Sequence, residues 1–272
     1  MKGLQAGFGT WKLGEHTREA VLDALACGYR HLDTGAIYGN ESDVGKAIRD
    51  SGLARETFSV SGKLWNTKRP YDKALKALER TLSNLGINAL DAYLIHWPAC
   101  AATHENWQEV NAETWRALED AQAAGLTRTI GVSNFLPHHL EALMQTAHVC
   151  PCVDQIELHP GMPQADVLDY CASNDIAVEA WSPLGSGALL ATESILSIAE
   201  RIDVSPAQVC LRWCVQHGAR PIVRTTTKEH MRLNLELESF SLAQEDLRAL
   251  DKMENVGASG MHPDKINFGK GG

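Results

Sequence analysis

Apolar positions along this chain alternate between short unbroken runs and longer stretches with a helical repeat. The short runs predict strands over residues 4–10, 29–33, 57–62, 90–95, 127–132, 153–156, 176–180 and 221–224. Between them, apolar residues recur every three or four positions, which predicts amphipathic helices. The first runs from a cap at Thr17, carries Val21, Leu22 and Leu25 on one face, and closes at Gly28. Others are expected over residues 42–49, 71–85, 113–124, 137–147, 164–173, 193–202, 206–217, 229–237 and 244–253. The clearest is 71–85, where Leu75, Leu78, Leu82 and Leu85 share a face and Gly86 provides the stop. Eight strand-then-helix units fit a chain of 272 residues. The alternation establishes an α/β protein but does not by itself separate a barrel from a doubly wound sheet. No Gly-x-Gly-x-x-Gly follows the first strand, which counts against a dinucleotide-binding open sheet.

Polar residues stand at the ends of the predicted strands: Asp33, Lys63, His96, Ser133 with Asn134, Gln155, Trp181 with Ser182, and Arg224 with Thr225. Tyr38 follows Asp33 by five positions in a loop of small residues. In a (β/α)8 barrel all such ends open on one face, where the active site lies.

Composition narrows the partners. A net charge of −9 argues against nucleic acid or an anionic membrane surface. The seven cysteines (Cys27, Cys100, Cys150, Cys152, Cys171, Cys210 and Cys214) are odd in number and scattered, as in a reduced, cytoplasmic chain. Neither Cys150/Cys152 nor Cys210/Cys214 has a second pair to complete a zinc site, and no metal is expected. Residues 1–4 lack the apolar core of a signal peptide, and no run is long enough to span a membrane. His138 and His139 open a predicted helix and are expected to be solvated.

Several segments together carry a resemblance to a known family. They are Asp33-Thr34 through Tyr38 with Asn40-Glu41, Lys63-Leu64-Trp65, Leu94-Ile95-His96-Trp97-Pro98, Gly131-Val132-Ser133-Asn134-Phe135, Gln155-Ile156-Glu157-Leu158-His159-Pro160 and Trp181-Ser182-Pro183-Leu184-Gly185. In order and spacing they resemble the aldo-keto reductases, most closely the short bacterial 2,5-diketogluconate and methylglyoxal reductases. The resemblance runs from about Gly7 to His262-Pro263-Asp264. It implies a single-domain (β/α)8 TIM barrel over residues 1–272, monomeric, with a small carbonyl compound as substrate.

The implied chemistry is reduction of an aldehyde or ketone by hydride from NADPH, with NADH as the alternative. Alcohol or sugar oxidation at the same site is the rival reaction, and a non-catalytic nicotinamide-sensing barrel the more distant one. By the resemblance Tyr38 donates the proton, Lys63 tunes it, Asp33 holds Lys63, and His96 orients the carbonyl. A phenol with an ordinary pKa near 10 needs a neighbouring cation to act near neutrality. Trp11, Trp65 and Trp97 are expected to line the substrate pocket. Ser133, Asn134 and Gln155 match the positions that hold the nicotinamide carboxamide, and Trp181 the aromatic that stacks on the ring. Ser182, Leu184 and Ser186 match the loop over the pyrophosphate.

The adenosine end departs from the family's Lys-Ser-x-x-x-x-Arg pattern with its following Glu-Asn. Here Arg224, Thr225 and Thr226 lead, His230 stands for the Arg and Leu233 for the Glu, while Asn234 is kept. Grip on a 2′-phosphate is expected to be weaker, with Lys228 as a compensating cation if it turns inward. The segment after Asp251 is short and is expected to add little to specificity.

Overall fold

The computed structural model describes residues 5–268. Eight parallel strands close on themselves in chain order: β1 Gly7–Gly9, β2 His31–Asp33, β3 Ser59–Leu64, β4 Leu90–Ile95, β5 Thr127–Ser133, β6 Val153–Glu157, β7 Ala177–Trp181 and β8 Ala219–Val223. The helices are α1 Thr17–Cys27, α2 Glu41–Asp50, α3 Tyr71–Leu85, α4 Trp107–Ala123, α5 Pro137–Met144, α6 Ala165–Ser173, α7 Glu193–Arg201, α8 Pro206–Gln216, α9 Lys228–Leu233 and α10 Gln244–Asp251. β1 pairs with both β2 and β8, so the sheet is a barrel and the doubly wound alternative falls. The apolar strand residues and the inner helix faces form one continuous core. Among the described residues, no helix is long and apolar enough to cross a membrane.

Boundaries differ from the sequence expectation where polar groups hide a repeat or end one. Leu4, the expected start of the first strand, lies outside the described residues, as does the Gly-rich end; pairing begins at Gly7. Tyr29 is not in β2, because its backbone N–H caps α1 on the Ala24 carbonyl at 3.0 Å. Thr17 is the first residue of α1 rather than its cap; its hydroxyl donates to the Gly14 carbonyl at 2.8 Å and accepts from Asn40 Nδ2 at 3.1 Å. α4 begins six residues before the expected 113. Its first turns bury a polar Asn111, whose side chain is paired both ways with the Ala99 backbone, so no apolar repeat marks them. α9 ends at Leu233, short of the expected 237.

His139 is buried rather than solvated. Its Nδ1 accepts the Leu136 N–H at 3.1 Å, which leaves the ring proton on Nε2, 3.1 Å from Asp264 Oδ1. The exposed His138 reaches the same oxygen at 3.0 Å. These three groups converge closely enough to suggest a cation site. With Nδ1 committed as an acceptor, however, His139 points a proton, not a lone pair, at the centre of the cluster. The arrangement is a latch that fixes the segment after α10 against α5. A second anchor lies nearby, where Glu157 accepts from the Ser259 N–H at 2.7 Å and its hydroxyl at 2.6 Å.

α2 and α3 pack closely because Gly45 has no side chain. A Cβ there would lie 2.7 Å from the carbonyl carbon of Leu85 and 2.8 Å from its Cα. The buried Glu41 pins the same pair of helices, accepting from Thr81 Oγ1 and Asn84 Nδ2, each at 2.9 Å. Gly45→Ala should therefore destabilise the fold by about 1–3 kcal/mol through overpacking, although alanine is the better helix former by about 1 kcal/mol. A urea midpoint at or above that of the unaltered protein would show that the helices separate freely.

Candidate active site

β2, β3 and β4 deliver the first three groups. Asp33 ends β2, Lys63 lies one residue before the end of β3, and His96 follows β4. Lys63 Nζ donates to Asp33 Oδ1 at 2.5 Å, to the Thr34 carbonyl at 3.2 Å and to Tyr38 Oη at 3.4 Å. The same Asp33 oxygen accepts from Ser61 Oγ at 3.1 Å and from Gln155 Nε2 at 2.8 Å. Asp33 and Lys63 are both buried, so each charge depends on the other and on these extra hydrogen bonds. Tyr38 ends a short 3-10 turn over Ala36–Tyr38. The ring folds back over Gly35, where a Cβ would lie 3.2 Å from Tyr38 Cζ.

The charges follow from this packing. For Lys63, burial opposes ionisation, but Asp33 and Tyr38 outweigh it and hold the ammonium above its ordinary pKa. For Tyr38, burial raises the pKa more than Lys63 lowers it. Lys63 thus acts in the expected direction, yet the phenol stays protonated beyond its usual range. Burial, reinforced by Lys63, pushes His96 well below 6.5. His96 is therefore a neutral hydrogen-bonding group, and Tyr38 is the group with a proton to give.

A cavity of about 810 Å³ opens over these residues. Trp11, Asp33, Tyr38, Trp65, His96 and Trp97 line it, together with Ser133, Asn134, Gln155, Trp181, Ser182, Leu184 and Ser186, and with Arg224, Thr225, His230 and Asn234. Lys63 lies just beneath this wall, behind Asp33 and Tyr38. Thr226 is the exception among the expected residues: it is exposed and takes no part in the wall. Lys228 does not compensate at the adenosine end, because its ammonium pairs with Asp23 at 2.9 Å on the outer surface.

Ser133 and Asn134 are engaged with their surroundings. Ser133 Oγ donates to the Gln155 carbonyl at 2.6 Å, and Asn134 Nδ2 donates to Ser133 Oγ at 3.0 Å and to the His96 carbonyl at 2.9 Å. Asn134 Oδ1 accepts from Trp181 Nε1 at 2.7 Å, which fixes the indole. Asn134 has φ 63°, a left-handed conformation that asparagine tolerates better than most residues. Ser182, Ser186 and Gly187 also have positive φ, and such turns gather backbone N–H donors.

The tail reaches the pocket despite its shortness. Phe268 packs on Trp65 at 4.9 Å and on Trp97 at 5.6 Å between ring centroids, and Met261 also lines the cavity. Nothing in the local sequence marks Phe268; the segment that carries it is held through Ser259 on Glu157 and Asp264 on His138 and His139, partners distant in the chain. Glu229 and Leu233 complete the wall near His230.

Residues 6–255 match the model of the aldo/keto reductase family. The chain is 41% identical to a glyoxal reductase of Bacillus subtilis over 264 residues, covering 96% of this chain and 93% of that one. It is also 41% identical to a 9,11-endoperoxide prostaglandin H2 reductase of Trypanosoma cruzi over 273 residues, covering 98% and 93%. Among solved structures, an aldo-keto reductase from a deep-sea metagenome library superposes with a TM-score of 0.89 at 36% identity, covering 97% of this chain and 96% of that one. A Bombyx mori aldo-keto reductase in complex with NADP superposes at 0.85 with 31% identity, covering 96% and 94%. Strand order, site and sequence agree: the chain belongs to the aldo/keto reductase family.

Proposed function

We propose that this barrel is an NADPH-dependent carbonyl reductase in which Tyr38 protonates the nascent alcohol. The observation that carries the reading is the buried Asp33–Lys63 pair, placed directly behind a protonated phenol at the floor of an aromatic pocket. Groups suited to a nicotinamide dinucleotide are present in the cavity: a fixed indole at Trp181, the amide of Gln155, the turn at Ser182–Ser186, and the cation Arg224. The NADP bound to the Bombyx mori relative supports the same assignment.

When bound, the cofactor supplies a hydride to the carbonyl carbon. The carbonyl oxygen gains the electron pair of the broken π bond and takes the Tyr38 proton. Lys63 stabilises the phenolate left behind, and Asp33 keeps Lys63 charged and in place. His96, being neutral, offers the carbonyl oxygen a hydrogen bond and fixes its direction without competing as the acid. Trp11, Trp65, Trp97 and Phe268 shape the pocket for small or medium carbonyl compounds with an apolar substituent. The chain works as one barrel, and its seven free thiols and acidic charge fit a monomer of the cytoplasm with no nucleic-acid partner.

Tyr38→Phe should lower turnover about 10²–10⁴-fold, the usual worth of general acid catalysis, while the dissociation constant for NADPH changes little. Near-normal turnover would remove Tyr38 from the reaction. Lys63→Met should lower turnover at neutral pH and move the alkaline limb of the pH–rate profile upward, because the phenol loses the cation that lowers its pKa. An unchanged profile would contradict that role.

Cofactor choice rests on Arg224. A guanidinium binds a phosphate through paired, permanently charged donors, whereas the imidazole of His230 has no such fork to offer. NADPH should be preferred, by less than in a relative carrying Arg at position 230. His230→Arg should tighten NADPH alone, and Arg224→Ala should weaken NADPH alone. Equal weakening of NADH and NADPH by Arg224→Ala would show that Arg224 does not hold the 2′-phosphate.

A further inference from the structure

A polar network continues from Asp33 into the barrel interior, past every group the reaction uses. Gln155 is in register with Glu179 across β6 and β7, and Glu179 with Arg220 across β7 and β8. In-register side chains on neighbouring parallel strands share a face, so the three stand side by side. Gln155 Nε2 gives one hydrogen to Asp33 Oδ1 at 2.8 Å and the other to Glu179 Oε2 at 2.9 Å. Glu179 Oε1 accepts from Arg220 Nη1 at 3.1 Å and lies 3.3 Å from His31 Nε2. Glu179 is only 5% exposed. Burial alone would push its carboxyl up, but His31, Arg220, the Gln155 amide and Lys63 together bring it below the ordinary range, so it stays ionised.

A primary amide carries two N–H donors and one acceptor oxygen. In Gln155 both donors are taken by carboxylates, and a flipped amide would set its oxygen against two anions. The oxygen is therefore the group this side chain offers to an occupant of the cavity it lines. An amide oxygen accepts from an N–H and is repelled by another carbonyl oxygen.

We propose that Glu179 is a positioning residue for cofactor binding: it holds the Gln155 amide oxygen toward the cavity, so that the site selects the amino group of the nicotinamide carboxamide. Asp33 takes one Gln155 N–H and repels a flipped oxygen, but without Glu179 the second N–H has no acceptor and only one anion opposes the flip. In Glu179→Gln, the new amide keeps its oxygen on Arg220 and turns its own NH2 group against Gln155 Nε2. That donor–donor conflict is relieved when Gln155 flips and presents N–H groups upward. The inference rests on the cavity being a nicotinamide site, and the test separates the two claims.

The test is a pair of dissociation constants measured without substrate, one for NADP⁺ and one for its 3-acetylpyridine analogue, in which a methyl group replaces the carboxamide NH2. In the unaltered protein NADP⁺ should bind about tenfold more tightly, the worth of one hydrogen bond. In Glu179→Gln the ratio should fall to about one or reverse, and Gln155→Leu should likewise abolish it. Unfolding of Glu179→Gln would shift the test to Arg220→Gln, which loosens the same carboxylate from a position with 36% of its side chain exposed. That variant should move the ratio in the same direction by a smaller factor. A ratio unchanged in a folded variant, including one that weakens both ligands equally, overturns the positioning role, as does an unaltered protein that does not distinguish the two. An unaltered protein that binds neither would instead overturn the nicotinamide reading itself.

Discussion

The contact between Lys63 and Asp33 is the constraint on which the site depends. Two opposite charges removed from water are tolerated only with close contact and further hydrogen bonds. Here Ser61 and Gln155 supply those bonds on the Asp33 side, and Thr34 and Tyr38 on the Lys63 side. The pair therefore fixes β2 against β3 and reaches across the barrel to β6. Removing either charge leaves the other buried and uncompensated, so the stability of this wall of the cavity rests on the contact.

The barrel interior explains how such a network is accommodated. Gly7 opens the space that His31 and Ile222 fill, since a Cβ there would lie 2.6 Å from each. Beside them, Gln155, Glu179 and Arg220 continue the chain of hydrogen bonds from the site toward β8. A carboxylate at Asp33, one at Glu179 and the amide between them form one electrostatic unit with Lys63 and Arg220. Substitutions within it are expected to be non-additive, as in any shared hydrogen-bond network.

Much of this was legible in the sequence, for identifiable reasons. The period of 71–85 and its Gly86 stop translate directly into α3, because an amphipathic face and a left-handed cap are local properties. Polar residues closing apolar runs marked Asp33, Lys63, His96 and Gln155, since a strand end in a barrel has one place to point. What stayed hidden depends on distant partners. The start of α4 is masked by a buried Asn111 that is paired with the Ala99 backbone. The burial of His139 needs Asp264, and the entry of Phe268 into the pocket needs the anchors at Ser259 and Asp264. Thr226 and Lys228 had the right chemistry at the right spacing, yet one faces water and the other pairs with Asp23. Glu179 carries no local signal, and only the register of β7 between β6 and β8 brings it between Gln155 and Arg220.

Control of the Tyr38 proton by the Asp33–Lys63 pair is open to direct measurement. The most direct measurement is the alkaline ultraviolet titration of that phenol, taken as the absorbance difference between the unaltered protein and Tyr38→Phe, and repeated in a Lys63→Met background. The phenolate should form above the ordinary value of about 10, and at still higher pH once Lys63 is gone. A Tyr38 titration that does not move when Lys63 is replaced would contradict that control.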